Sequence, residues 1–204
     1  MRRSWSVRDW VFVGLFGALW GASEMTLGST LHLIFPPLAD TFLVGLIMAC
    51  IGCLIALCGR LFVAHRGSIL LIGVITSILK AFSLGGVKFG PIIGIMAESL
   101  LMELGLLLLP SASYPAFALA GLLAVSWNFF HRFLMMGLFY GAGFFEIAMR
   151  IVRDGSRLFG IPEKFFLLLL GLLLFIRLAA GAATGLIARS IGDQIQRRLR
   201  HADS

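Results

Sequence analysis

The residues best placed to do chemistry in this chain are ionisable groups set within long apolar runs. Glu98 and Glu103 lie in one run and Arg177 in another. A charged side chain inside a membrane is costly, so each one needs a partner or a task. Glu98 and Glu103 are five positions apart, about 140° around a helix, and so do not share a face. That separation suggests two roles. Glu98 projects into a cavity as a ligand contact, and Arg177 takes an intramembrane ion-pair partner, Glu103 or Glu98. Lys80 and Lys88 flank a glycine-containing stretch. They either snorkel to lipid headgroups or pair with an anionic substrate. The run Trp127-Asn128-Phe129-Phe130-His131-Arg132 combines rings with an amide, an imidazole and a guanidinium. It suits a flat polar ligand, with rings stacking and polar tips orienting. It reads equally as an interfacial aromatic belt with an arginine anchor. Glu24 and His32 are eight apart and fall on roughly one helix face, where they line an outer mouth. The expected substrate-binding set is therefore Glu24, His32, Lys80, Lys88, Glu98, Asn128, His131 and Arg132.

Enzymatic and metal motifs are not found. Cys50, Cys53 and Cys58 share one apolar run. Zinc would require charged thiolates there plus further ligands, and thiolates are costly in hydrocarbon. Small buried thiols are the simpler reading, with no disulfide framework. The sequence has no H-E-x-x-H, no G-x-S-x-G and no Walker A loop. No catalytic residue, metal or cofactor is expected, and any ATP-driven step must come from partner subunits.

These residues need a membrane to hold them. Hydrophobic residues make up 59% of the 204 and charged residues 13%, and the mean hydropathy is +0.99. So few polar groups cannot cover a water-facing surface. The expected fold is an all-α integral membrane protein, a compact single-domain bundle of about six transmembrane helices with short loops. The spans fall near 11–31, 41–63, 68–82, 91–109, 114–130 and 165–187. The segment 133–149 is apolar apart from Glu146. It reads as an interfacial helix, a re-entrant segment or a seventh span. The first run is long and lacks a cleavage site, so it reads as a retained helix rather than a signal peptide. Net charge is +7, and most arginines stand at the ends and in loops. That fits topology and anionic lipid rather than nucleic acid. Nine Lys and Arg fall on the side of the termini and seven on the other, which puts both termini in the cytoplasm.

In the first helix Gly14, Ala18 and Ala22 recur every four residues as a smooth stripe, widened by Gly17 and Gly21. Small residues let helices approach closely in lipid. The stripe serves either this bundle's own packing or a separate subunit. The last span repeats the pattern with Ala179/Ala183 and Gly181/Gly185.

The chain resembles the substrate-binding S components of energy-coupling factor (ECF) transporters. The resemblance lies in its size, its six spans with cytoplasmic ends and Ala18-x-x-x-Ala22 in the first helix. It extends to the glycine-rich stretch Ser83 to Gly90, which leads into a fourth helix with polar groups. The resemblance implies capture of a small water-soluble vitamin or micronutrient at the plasma membrane of a prokaryote. It implies docking on a membrane T component through the first helix, with a cytoplasmic ATPase pair driving release. The segment 133–149 departs from the simplest six-span pattern. Three other readings stand beside this one. They are a self-sufficient small-molecule carrier, a membrane enzyme acting on a lipid or prenyl substrate through Glu98, Glu103 and Arg177, and a purely structural assembly subunit.

Overall fold

The computed structural model describes residues 4–34, 43–82, 89–109, 113–140 and 162–202, with scattered positions between 141 and 161. The described residues form helices and no strands. This is what lipid demands, because a helix satisfies its backbone groups within one segment. Six helices follow in order: α1 Val7–Ile34, α2 Gly45–Phe62, α3 Ser68–Ala81, α4 Phe89–Leu108, α5 Tyr114–Tyr140 and α6 Glu163–Ala202. Five contain stretches long and apolar enough to cross a membrane. The sixth, α3, has 14 residues, about 21 Å of helix against the ~30 Å of a hydrocarbon core. The chain is a multi-pass membrane protein.

The segment 133–149 is not a separate element at its start. α5 runs unbroken to Tyr140, so residues 133–140 extend the fifth helix. Phe133 packs with Phe129, Val152, Phe166 and Leu170 in a small cluster between α5 and α6. Most of residues 141–161 lie outside the described residues.

α2 is the hub. It packs against α1, α3, α4, α5 and α6, while those five form a ring in the order α1–α3–α4–α5–α6 around it. Its sequence suits the position. Ala49, Gly52, Cys53, Ala56 and Gly59 are buried and small, so several helices can approach closely. Trp20 of α1 is fully buried and lies over Gly52, where any Cβ would collide with the indole. Cys53 is buried and Cys50 and Cys58 are half-buried, all as free thiols. Among the described residues no group of His, Cys, Asp and Glu could hold a metal ion.

The closest helix pair is α5 with α6. A Cβ on Gly121 would strike the Gly181 carbonyl, and one on Gly185 would strike the Phe117 carbonyl. The backbones thus touch directly. α1 and α6 occupy the two ends of the ring. The outer face of α6 presents Leu168, Leu172, Phe175 and Ile187 to lipid.

Polar anchors order the end that holds both termini. Ser6 and Asp9 form a reciprocal cap on α1. Asp9 Oδ2 accepts from Ser6 N at 2.8 Å and Ser6 Oγ at 2.7 Å, and Asp9 N donates back to Ser6 Oγ at 3.2 Å. Asp9 also meets His65 Nε2 at 3.4 Å, and Trp5 stacks on that imidazole. At the start of α3, Gly67 adopts φ 86°, a left-handed conformation that favours glycine. Ser113 caps α5 through Ala116 N at 3.3 Å.

Candidate functional site

The end opposite the termini holds a cavity of about 340 Å³. Five helices build it. α1 contributes Glu24 and Gly28, and the start of α2 contributes Gly45, Met48 and Ala49. Lys80 comes from α3, Gly94 and Glu98 from α4, and Asn128, His131 and Met135 from α5. The cavity exists because small residues face it where the helices converge.

Its rim carries an ion pair. Lys80 Nζ donates to the Glu24 carbonyl at 2.9 Å and to Glu24 Oε2 at 3.3 Å. Both side chains are largely buried. One lysine thus ties the end of α3 to α1 through main chain and side chain. This bond was not among the sequence expectations, which gave Lys80 to headgroups or an anionic substrate.

Its floor is a relay of three residues. Glu98 is 7% exposed and Arg177 2%. Arg177 Nη1 donates to Asn128 Oδ1 at 2.8 Å. Guanidinium can only donate, so the amide oxygen must face it and the amide NH₂ must face the other way. Glu98 lines the cavity beside that amide. Arg177 also lies over the Phe129 ring, 5.9 Å from its centroid. Gly45 makes room for the relay, since a Cβ there would sit 2.6 Å from Asn128 Oδ1.

Of the eight expected binding residues, the cavity brings together Glu24, Lys80, Glu98, Asn128 and His131. Lys88 lies outside the described residues, as do the side chains of His32 and Arg132. Among the described residues the rings of the run from Trp127 to Phe130 give the cavity no stacking platform. Among the described lining residues His131 supplies the aromatic ring, while Trp127, Phe129 and Phe130 do not line the cavity. Met48 and Met135 furnish soft apolar wall instead. Sequence reasoning missed Gly45 and Gly94, whose only signal is glycine within an otherwise bulky apolar run.

The expected Glu103–Arg177 ion pair is corrected by the structure. Glu103 belongs to the terminus end of the bundle. Its Oε1 accepts from Gly67 N at 2.6 Å and its Oε2 from Ile69 N at 3.3 Å. Arg60 Nη1 stands 3.8 Å away and donates to Ser68 Oγ at 3.2 Å. Glu103 therefore caps α3 from another helix, supplying the acceptor that Gly67 lacks. Arg177 belongs to the cavity floor, through Asn128.

The first-helix stripe divides in two. Gly17 and Gly21 face inward, and a Cβ on either would meet Ile75 or Leu79 of α3. Ala18 and Ala22 are exposed, and a Cβ on Gly14 would meet nothing within 4 Å. Val11, Leu15 and Leu19 flank them, also exposed. The chain's own helices leave this strip bare.

No family model matches the chain, and no curated protein or solved structure matches it.

Proposed function

We propose that this chain is the substrate-capture subunit of an ECF-type importer for a small water-soluble vitamin or micronutrient. In this reading both termini are cytoplasmic and the cavity opens outward. A membrane T component docks on the bare strip of α1, and a cytoplasmic ATPase pair drives inward release. The observation that carries it is the double duty of α1. One stretch of this helix offers Gly14, Ala18 and Ala22 to the bilayer side. Glu24 and Gly28, within about two turns further on, form cavity wall. A subunit gripping the strip therefore leans on the rim that Glu24 shares with Lys80. A cavity lined by carboxylates, an amine, an amide and an imidazole also suits a small polar ligand better than a lipid tail.

The test is native mass spectrometry of the protein purified gently from its own cells, beside Ala18→Leu. The wild type is expected to carry a small ligand together with a second membrane subunit and ATPase subunits. Ala18 is exposed, so the leucine variant should fold within about 0.5 kcal/mol of wild type. It should keep the ligand and lose the subunits. Wild-type protein without partner subunits, or a variant that loses ligand and partners together, refutes the docking role.

A further inference from the structure

Charge and hydrogen-bonding direction across the cavity point to the ligand's chemistry. Two carboxylates line it, Glu24 and Glu98, and one amine, Lys80. Glu24 is taken, since Lys80 Nζ sits 3.3 Å from its carboxylate. Glu98 has no cation within ion-pair distance among the described residues. Arg177 does not line the cavity; it stands behind Asn128 and donates to its Oδ1 at 2.8 Å. The lining thus holds one carboxylate more than it holds amines.

Direction sharpens the argument. Because Arg177 fixes the Asn128 oxygen, the amide offers the cavity and Glu98 a donor and no acceptor. A carboxylate has about four lone-pair sites, and one amide fills at most one or two. The remainder can be met from the cavity, in a setting where an unmet charge is expensive. The floor therefore accepts hydrogen bonds and offers few. Lys80, which has donors, is held at the rim by Glu24.

We infer that the cavity takes a small organic cation with N–H donors, an amine or an amidine-like amino-heterocycle, whose charged edge meets Glu98. The planar edge of an amidine presents two parallel N–H groups, the geometry a carboxylate accepts in pairs. Met48, Ile95 and Met135 then cover its apolar body, with His131 beside it. Calling this ligand cargo rests on the importer reading above; the cavity's preference for cations does not.

Three probes of one size test the charge: benzamidine as cation, benzamide as neutral amide and benzoate as anion. Binding is measured by saturation-transfer NMR on protein in nanodiscs of zwitterionic phosphatidylcholine. Benzamidine is expected to bind at least about tenfold more tightly than benzoate. Glu98→Gln keeps the shape and removes the charge. It should weaken benzamidine about tenfold and leave benzamide unchanged. Benzoate binding as well as benzamidine, binding by none of the three, or a Glu98→Gln protein with undiminished benzamidine affinity overturns the inference. If Glu98→Gln does not fold, the wild-type ranking decides alone. The two readings fail separately. Missing partner subunits with cation preference intact sink the importer, whereas partner subunits present on an anion-selective protein sink only the charge assignment.

Discussion

Replacing Glu103 measures whether that carboxylate is a helix cap or the intramembrane partner of Arg177. In the structure it accepts from two backbone amides, Gly67 N at 2.6 Å and Ile69 N at 3.3 Å, and faces Arg60 at 3.8 Å. Glu103→Leu strips the acceptor from both amides. A hydrogen bond to a charged group contributes about 1.5–3 kcal/mol, and the longer of these two falls below that range. Arg60 keeps Ser68 Oγ at 3.2 Å, so its own loss is partial. The total is about 3–4 kcal/mol, in keeping with the loss of one partner from a buried charged site. Glu103→Gln retains one acceptor and should cost about half as much. Reversible unfolding in mixed micelles gives these values. Two double-mutant cycles then assign the partner. Glu103→Leu with Arg60→Met should show coupling of about 1 kcal/mol, and with Arg177→Met less than about 0.5 kcal/mol. Coupling to Arg177 larger than coupling to Arg60, or a cost below about 1 kcal/mol for Glu103→Leu, refutes the capping role.

The remaining predictions concern helix contact and helix entry. Gly121→Val drives a branched side chain into the Gly181 backbone, so α5 and α6 must separate. The expected loss is about 3 kcal/mol or more, seen as a fall in the monodisperse fraction on size exclusion. Ser6→Ala removes the hydroxyl shared with Asp9 and should cost about 1 kcal/mol. Hydrogen exchange should quicken at the first turn of α1 and stay unchanged in α2.

The membrane class and the long apolar helices of the described residues were legible because both rest on composition. Long apolar runs broken by Pro36-Pro37, Ser83 to Gly86 and Pro110 divide the chain without reference to its packing. The cavity residues were partly legible for a related reason. Glu98, Asn128 and Arg177 are conspicuous because polar groups inside apolar runs are costly. What the sequence could not supply was pairing. Glu103 and Arg177 are both ionisable and both buried, yet they sit at different depths. Only the packing of α4 beside Arg60 and the α3 start reveals which cation is near. Nor could spacing show that Gly17 and Gly21 pack inward while Ala18 and Ala22 do not. Those positions are adjacent on one helix, and only the location of α3 separates them. In the aromatic run from Trp127, Phe129 packs against Phe166 and Leu170 of α6 while Phe130 is exposed, so rings that advertise stacking do not line the cavity.

The central position of α2 constrains how this molecule can work. A helix held by five neighbours in an open arc behaves as an axle. It cannot tilt or slide without dislodging the rest, so opening and closing must fall to the outer staves. Of those, α1 and α6 stand at the two ends of the arc, each held mainly by two companions. The buried thiol of Cys53 rides on the axle. Its alkylation rate would act as a clock for how often the barrel loosens.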